Sequence, residues 1–495
     1  MDIEQAFAQD FVPIADLIGA HAAREPRHRA LTQGERTLDY ASLDALMDRV
    51  AAALQRDGFR PRETIAICAA NSIDYAALFL GALRAGVAVA PLAPSSTAES
   101  IAGMVADCGA KRLFTLAGRE FEDWLASAGA KPEPVAVQPD WSFNIIYSSG
   151  TTGVPKGIVQ SHAMRWGHMR RGKTYGYGLR AVTLLSTPLY SNTTLVSFFP
   201  TLALGGTVVL MAKFDVAQYL ALAEKHRVTH TMLVPVQYRR IMAHPDFDKH
   251  DLSSFRMKFS TSAPFPAALK AEVLRRWPGG LIEVYGMTEG GGTCILAAHE
   301  HPDKLHTVGR PAEGHDIRLI DERGREVAPG EAGEVVGHSP LMMTGYHNQP
   351  QKTAEAEWHD ASGKRFIRTG DVGRFDADGF LTLLDRKKDM IISGGFNIYP
   401  SDLEAVLGAH PEVAEVAVVG VPSERWGETP VAFVVLKPGA APDTADLLAW
   451  ANARLGKTQR LADLRLAAEL PRSAIGKVLK RALRDAYRPA GAASD

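Results

Sequence analysis

Tyr147-Ser148-Ser149-Gly150-Thr151-Thr152-Gly153-Val154-Pro155-Lys156-Gly157 places four Ser/Thr hydroxyls, three glycines and one lysine within eleven residues. The apolar run Phe143-Asn144-Ile145-Ile146-Tyr147 leads in and reads as a buried strand feeding a tight loop. Glycines let a backbone approach a ligand closely and adopt positive φ, while hydroxyls and bare N–H groups supply donors. Successive N–H groups in such a loop form a concave nest for an anion, and Lys156 adds a mobile positive charge. The expected guest is a polyphosphate. No Gly-x4-Gly-Lys-Ser/Thr spacing is present, so this is not a Walker A loop. An ordinary Ser/Thr/Gly-rich surface loop is the bland alternative. The density of hydroxyls, with a lysine directly behind a strand, favours the anion loop.

The chain has 495 residues, enough for two to four domains, with 46% hydrophobic and 22% charged residues. Its net charge of −1 advertises neither a nucleic-acid nor an anionic-membrane partner. Cys68, Cys108 and Cys294 are scattered, without metal spacing, which fits a reducing compartment. No signal peptide, lipidation box or bilayer-length apolar run is read, so a cytoplasmic protein without a transmembrane segment is expected. A homodimer stays open.

Outward from the opening loop, strand and helix signals alternate. Residues 30–40 read as a hairpin turning at Gly34, and Leu43, Leu46, Met47, Val50 and Leu54 form an apolar stripe closed by Gly58. Strands at Thr64–Ala69 and Val87–Pro91 flank a helix over Ile73–Arg84. Further strand–helix units follow beyond residue 180, with helices over Val216–Lys225 and Ala267–Arg276. That alternation predicts an α/β fold of layered subdomains with parallel strands. Ile317–Gly337, with its Gly and Pro turns, reads as a small β-rich subdomain. The pentad Asp385-Arg386-Lys387-Lys388-Asp389 reads as a solvated connector. A domain boundary there separates residues 1–385 from a small α+β domain, 386–495.

Four further clusters carry chemistry. Tyr285-Gly286-Met287-Thr288-Glu289-Gly290-Gly291-Gly292 follows an apolar strand; a hydroxyl beside a carboxylate suits a phosphate-bound Mg²⁺, and the aromatic can stack on a base. Thr369-Gly370-Asp371 puts an acid at a strand end, suited to paired ribose hydroxyls. Gly394-Gly395-Phe396 is a glycine pair after the charged connector. Pro471-Arg472-Ser473-Ala474-Ile475-Gly476-Lys477 sets a lysine on a turn before the last helix. Singly, Thr-Gly-Asp and Gly-Lys are weak signals.

In this order the five clusters resemble the adenylate-forming (AMP-binding) superfamily of acyl- and aryl-CoA synthetases, peptide-synthetase adenylation domains and beetle luciferase. The match covers essentially the whole chain. The resemblance implies two half-reactions: a carboxylate attacks the α-phosphate of ATP to give acyl-AMP and pyrophosphate, then a thiol displaces AMP. Bringing these anions together is opposed by about 4 kcal/mol for two unit charges ~4 Å apart at an effective dielectric near 20, so cations are required. By resemblance Ser148, Ser149, Gly150, Thr151, Thr152, Gly153 and Lys156 hold the β,γ-phosphates. Thr288 touches the α-phosphate and Glu289 ligates Mg²⁺. Tyr285 and Gly286 meet adenine, with Ser262, Ala263 and Pro264 on its other side. Asp371 holds the ribose hydroxyls, Arg386 contacts ribose or phosphate, and Lys477 bridges α-phosphate and carboxylate. The small domain then rotates about Lys388, withdrawing Lys477 and bringing Gly394, Gly395 and Phe396 to the thiol tunnel. A solvated lysine near a helix end is the bland reading of Lys477; its Pro-Arg-Ser-x-x-Gly-Lys context favours catalysis.

Tyr190, Ser191 and Asn192 occupy the family's acyl-pocket segment, with Val234 on another wall. The Asp with which amino-acid-activating members hold an α-ammonium is missing, so the acid implied is aryl or medium-chain acyl without an α-amine. Ser191 stands where many relatives carry a gating His. Asn192 aligns with an Asn that binds a ring hydroxyl in aryl-acid-activating members, although capture by nearby backbone is an equal alternative. Trp166, Tyr175, Tyr177 and Phe198 are either further wall or simply core. No carrier domain follows Lys477, which favours coenzyme A as the thiol, with Trp426 and Phe396 beside the pantetheine. A stand-alone aryl-acid ligase loading a separate carrier protein is the alternative within the family. A nucleotide-binding protein that has lost catalysis is the alternative from another class. His226 and His230 lack the pattern of a zinc helix, and Arg170-Arg171 is too short for a nucleic-acid patch.

Overall fold

The run ahead of the opening loop folds as strand Ser142–Ser148, and Lys156–Ser161 returns antiparallel beside it with Ser148 opposite Lys156. The computed structural model describes residues 2–148, 156–386, 389–393, 396–423, 425–456, 459–473 and 476–487. The chain divides into two units: Met1–Ile317 with Gly337–Ile367, and Arg318–Val336 with Arg368–Asp495.

The first unit holds two sheets. One has six strands in the order Gly345–Tyr346, Lys156–Ser161, Ser142–Ser148, Ala88–Pro91, Thr64–Ile67 and Ala110–Phe114. The other has nine: Arg310–Pro311, Thr293–Ala297, Gly280–Gly286, Met257–Ser260, His230–Leu233, Val182–Leu185, Thr207–Leu210, Arg29–Gln33 and Arg36–Asp39. From Gly280–Gly286 to Arg29–Gln33 the nine-stranded sheet is parallel, with antiparallel strands at its edges. The expected α/β alternation is therefore present.

Local chemistry sets the helices between them. Asp39 accepts from Ser42 N–H at 2.8 Å and opens helix Tyr40–Arg56, whose Leu43, Leu46, Met47, Val50 and Leu54 are all buried. Ser72 does the same for Tyr75 at 3.0 Å and opens helix Ile73–Arg84. Each such large apolar side chain contributes about 1.5–3 kcal/mol on burial. One core joins these helices to strands of both sheets, Ile65 and Val89 from one and Leu185, Val208 and Phe259 from the other.

Two helices escape the apolar periodicity. His162–Arg171 buries His162 and Arg165 on its inward face, which breaks the stripe. Asn192–Ala203 is buried almost all round and carries Pro200, so it shows neither an amphipathic face nor an uninterrupted helical sequence.

In the second unit, strands Phe396–Ile398, Ile391–Ser393, Gly427–Leu436 and Val413–Ser423 form a sheet, with Asp463–Leu466 parallel to Gly427–Leu436. Its faces alternate with period two: Val418, Ala432 and Val434 meet Leu403, Leu407, Leu447 and Ala451 on one side. Ala417, Val419, Val431 and Phe433 share the other side with Leu470 and Leu483. The last helix spans Lys480–Ala486, and Lys477 lies on the turn before it, as expected. The expected run of solvated charges differs at Asp385, whose buried carboxylate accepts from Ser401 N–H at 3.1 Å and faces Lys480 at 3.8 Å. A further sheet, Asp316–Ile320, Gly333–His338, Arg365–Phe375 and Glu357–His359 with Leu381–Arg386 beside Arg365–Phe375, contains the points where the chain passes between units.

Candidate functional site

Four neighbouring parallel strands of the nine-stranded sheet end in candidate residues. Val182–Leu185 leads to Tyr190, Ser191 and Asn192, and His230–Leu233 to Val234. Met257–Ser260 leads to Ser262, Ala263 and Pro264, and Gly280–Gly286 carries Tyr285 and runs on to Thr288 and Glu289. The carboxyl ends of parallel strands are where open α/β sheets bind ligands, because connections leave a crevice there.

The hairpin of Ser142–Ser148 and Lys156–Ser161 meets this group. Gln160 Nε2 donates to the Thr288 carbonyl at 2.7 Å. Lys156 Nζ lies 4.9 Å from the Tyr346 ring centroid, and the Tyr346 hydroxyl donates to Glu289 Oε1 at 2.9 Å. Tyr346 thus links the lysine behind the opening loop to the acid of the second cluster. Nothing in the sequence pattern singled it out; its backbone pairing with Ile158 is what places it. Tyr147 turns away, its hydroxyl donating to Asp107 Oδ2 at 2.5 Å. Ser149, Gly150, Thr151, Thr152 and Gly153 lie outside the described residues.

After Glu289 the three glycines have separate steric reasons. Gly290 has φ +73°, and a Cβ there would run into Leu341 O and sit 2.8 Å from Met164 Cε. At Gly291 and Gly292 a Cβ would meet the side chains of Ile367 and Ile317. The turn passes too close to its neighbours for any side chain.

At the acyl segment, Asn71 accepts from Leu189 N–H at 2.7 Å and donates to the carbonyls of Thr187 and Met211 at 2.9 and 3.1 Å. This holds the turn from which helix Asn192–Ala203 starts. Thr193 Oγ1 lies 2.6 Å from Ser262 Oγ, and Ser262 adopts φ +77°, a costly conformation for a residue with a Cβ. Asn192 Oδ1 is buried and accepts no hydrogen bond among the described residues. The backbone capture considered for this side chain does not occupy that oxygen. Val234 is buried at the head of helix Pro235–Met242, its N–H donating to Gln237 Oε1 at 3.2 Å. Trp166, Tyr177 and Phe198 belong to the main core. His230 is buried too, bonded to Thr229 Oγ1 and Tyr175 O at 2.7 and 3.0 Å.

The second unit carries the other candidates. Asp371 is half-buried on strand Arg365–Phe375, opposite Arg386 in the antiparallel register. Its N–H donates to Thr369 Oγ1 at 3.0 Å, and Thr369 Oγ1 donates to Val335 O at 2.9 Å. Lys477 sits on a turn in which Ser473 N–H donates to Lys477 O at 2.8 Å and Lys477 N–H to Ser473 Oγ at 3.2 Å. Arg472 braces that turn, donating to Gly476 O at 2.8 Å and to Glu415 Oε2 at 2.5 Å. Trp426 is 47% exposed, with the Arg425 guanidinium 4.7 Å from its ring centroid. Phe396 pairs with Ser393 at a hairpin edge; Lys388, Gly394 and Gly395 lie outside the described residues.

Among the described residues no three His, Cys, Asp or Glu side chains are grouped to hold a metal. A single half-buried carboxylate such as Glu289 still fits Mg²⁺, which keeps several waters and takes one or two carboxylates plus phosphate oxygens. Among the described residues no helix is long and apolar enough to cross a membrane.

Comparison with known proteins places both units. Residues 18–347 match a profile described as AMP-binding enzyme, and residues 402–477 one described as AMP-binding enzyme C-terminal domain. The chain is 34% identical to an indoleacetate–CoA ligase of Aromatoleum aromaticum, over 94% of this chain and 96% of that protein. It is 32% identical to the fatty acid–[acyl-carrier-protein] ligase ScoC of Streptomyces coeruleorubidus, over 94% and 95%. Its fold is similar to that of ATP-bound MatB from Rhodopseudomonas palustris, with TM-score 0.86, 29% identity and coverage of 96% and 99%.

Proposed function

The chain belongs to the AMP-binding enzyme family and is an acid–thiol ligase of the AMP-forming acyl-CoA synthetase type; on that premise we propose that its acid is an aryl acid bearing a hydrogen-bond donor. ATP activates the carboxylate as acyl-AMP, coenzyme A takes the acyl group, and AMP and pyrophosphate leave. The observation that carries the aryl reading is Asn192 Oδ1 at the start of its helix, buried and without a hydrogen-bond partner among the described residues. An acceptor in that state favours a phenol or indole N–H over a saturated chain, because an unpaired buried oxygen costs about 1–3 kcal/mol. The relative named for indoleacetate has an acid of this kind. Medium-chain acyl acids are the other members of the proposed class.

In this reading the loop from Ser148 to Gly153, with Lys156, grips the β,γ-phosphates, and Thr288 meets the α-phosphate. Glu289 would hold Mg²⁺, which supplies positive charge against the phosphate oxygens when bound. Tyr285 and Gly286, with Ser262, Ala263 and Pro264, enclose adenine. Asp371 and Arg386 take the ribose. Lys477 completes adenylation, and the segment from residue 386 onward turns about Lys388 to bring Gly394, Gly395, Phe396 and Trp426 to the thiol. The carrier-protein reading of the thiol is favoured by one observation, the acyl-carrier-protein activity for which the relative ScoC is named.

A panel of hydroxylated and indolic aryl acids, medium-chain and long-chain acids, assayed for AMP release with ATP and coenzyme A, tests this. Highest kcat/KM on aryl acids with a ring donor is expected. Better turnover of saturated acids overturns the aryl reading, and faster transfer to a holo-carrier protein than to coenzyme A overturns the thiol. Absence of acid-dependent pyrophosphate release from every acid overturns adenylation.

A further inference from the structure

Three polar side chains with no exposed surface run in a line behind the second cluster. Arg165 Nε donates to Asn144 Oδ1 at 2.9 Å, Asn144 Nδ2 to Gln160 Oε1 at 3.0 Å, and Gln160 Nε2 to the Thr288 carbonyl at 2.7 Å. Asn144 and Gln160 face each other across the hairpin whose tip is the opening loop. Arg165 comes from the helix that follows it. Among the described residues no acid pairs with the guanidinium, and Nη1 and Nη2 are buried without hydrogen-bond partners; Cζ lies 5.6 and 5.9 Å from the ring centroids of Phe199 and Phe143.

An amide can point either way, so a chain of two amides has a direction only if one end imposes it. Arginine is donor-only. It therefore turns Asn144 oxygen-first, which leaves Asn144 Nδ2 to face Gln160 Oε1 and Gln160 Nε2 to face Thr288. A buried arginine without a counter-ion is expensive as a stability device. Burial pulls it down only to about 9, so it stays charged at neutral pH and aligns the amide dipoles behind it.

We propose that Gln160 is a positioning residue for adenylation, holding the Thr288 carbonyl through an amide orientation that Arg165 dictates by way of Asn144. This rests on the assignment of Thr288 to the α-phosphate. The hairpin and the Thr288-Glu289 segment then move as one piece, so the phosphate loop and the residues facing the α-phosphate keep register.

Two substitutions test it. Gln160→Met removes the donor at similar volume. Asn144→Asp keeps the acceptor for Arg165 and gives that cation a partner, but replaces the group facing Gln160 with an oxygen. Gln160 then faces an acceptor on each side, and the carboxylate, the stronger one, draws its Nε2 away and leaves Oε1 against the Thr288 carbonyl. Both variants should lose adenylation kcat by about ten- to a hundredfold with KM for ATP little changed. Thioester formation from supplied acyl-adenylate should continue at the wild-type rate, and Asn144→Asp should melt no lower than wild type. A purely structural role predicts the opposite for Asn144→Asp, with activity following stability. Wild-type adenylation by both variants, or equal loss of both half-reactions, overturns the proposal while leaving the function intact. A wild-type protein without acid-dependent pyrophosphate release removes the function and this role together.

Discussion

The Tyr346 hydroxyl donates to Glu289 Oε1 at 2.9 Å, from a strand that pairs with Lys156–Ser161, the strand that follows the opening loop. Burial, then the Glu289 charge, holds the phenol well above its ordinary pKa, so it is a donor throughout the working pH range. A donor to one carboxylate oxygen fixes the direction of the other, and a charge-assisted bond of this kind is worth about 1.5–3 kcal/mol.

Tyr346→Phe removes that donor and nothing else of size. Adenylation should fall about tenfold, with a higher Mg²⁺ concentration needed for half-maximal rate, measured by titrating Mg²⁺ in acid-dependent pyrophosphate release. An unchanged Mg²⁺ curve at an unchanged rate would show that Glu289 needs no such guide.

Lys477 is held by its turn through Ser473, and that turn by Arg472 and Glu415. Lys477→Ala should abolish adenylation, a loss of about a hundredfold or more, because in the proposed role it supplies the positive charge where two anions meet. Thioester formation from supplied acyl-adenylate should survive. Single-turnover assays of the two halves decide it: equal loss in both sinks the division of labour. Glu415→Gln weakens the brace at a distance and should lower adenylation less.

The parts legible in the sequence were those with periodicity or dense polar chemistry. Helices Val216–Lys225 and Ala267–Arg276 have the bounds expected of them and bury one face each, and Ile73–Arg84 keeps its bounds as an almost wholly apolar run closed by Arg84. The parallel strands were legible as short apolar runs. Helix Asn192–Ala203 was not, because its buried positions include Thr193, Thr194, Ser197 and Thr201, and Pro200 interrupts the helical sequence. Tyr346 was missed for a different reason. Its role comes from a two-residue strand pairing made across nearly two hundred positions of chain, and no local signal encodes that. The same holds for Gln160, which in sequence is one polar residue in a strand.

Gly290→Ala separates crowding from backbone strain. Gly290 and Gly314 have nearly equal φ, +73° and +75°, but a Cβ at Gly290 strikes Leu341 O while one at Gly314 meets nothing within 4 Å. Gly314→Ala should cost about 1 kcal/mol, from strain alone. Gly290→Ala should cost about 2–4 kcal/mol, because backbone must move as well. Urea unfolding of both measures the difference; equal costs would mean that the turn after Glu289 yields freely.

His162 gives a pH dependence with a definite sign. Its ring packs on Phe143 at 4.9 Å between centroids, and burial lowers its pKa from 6.5 to about 3. It also opens helix His162–Arg171, where the macrodipole disfavours a cation. The unfolded chain therefore takes up this proton near pH 6.5 while the folded chain refuses it. Stability from this group is full above about pH 6.5 and is lost as pH falls toward about 3, at up to about 1.4 kcal/mol per unit. Between pH 6.5 and 5 the wild type should lose about 1.6 kcal/mol more than His162→Leu, whatever the two differ by at pH 7. His230, lowered by burial to about 4, titrates in the same window in both proteins and cancels in the comparison. Urea midpoints at the two pH values give the result. Parallel losses would show that His162 is protonated in the folded chain, and that strand Ser142–Ser148 rests on a charged ring.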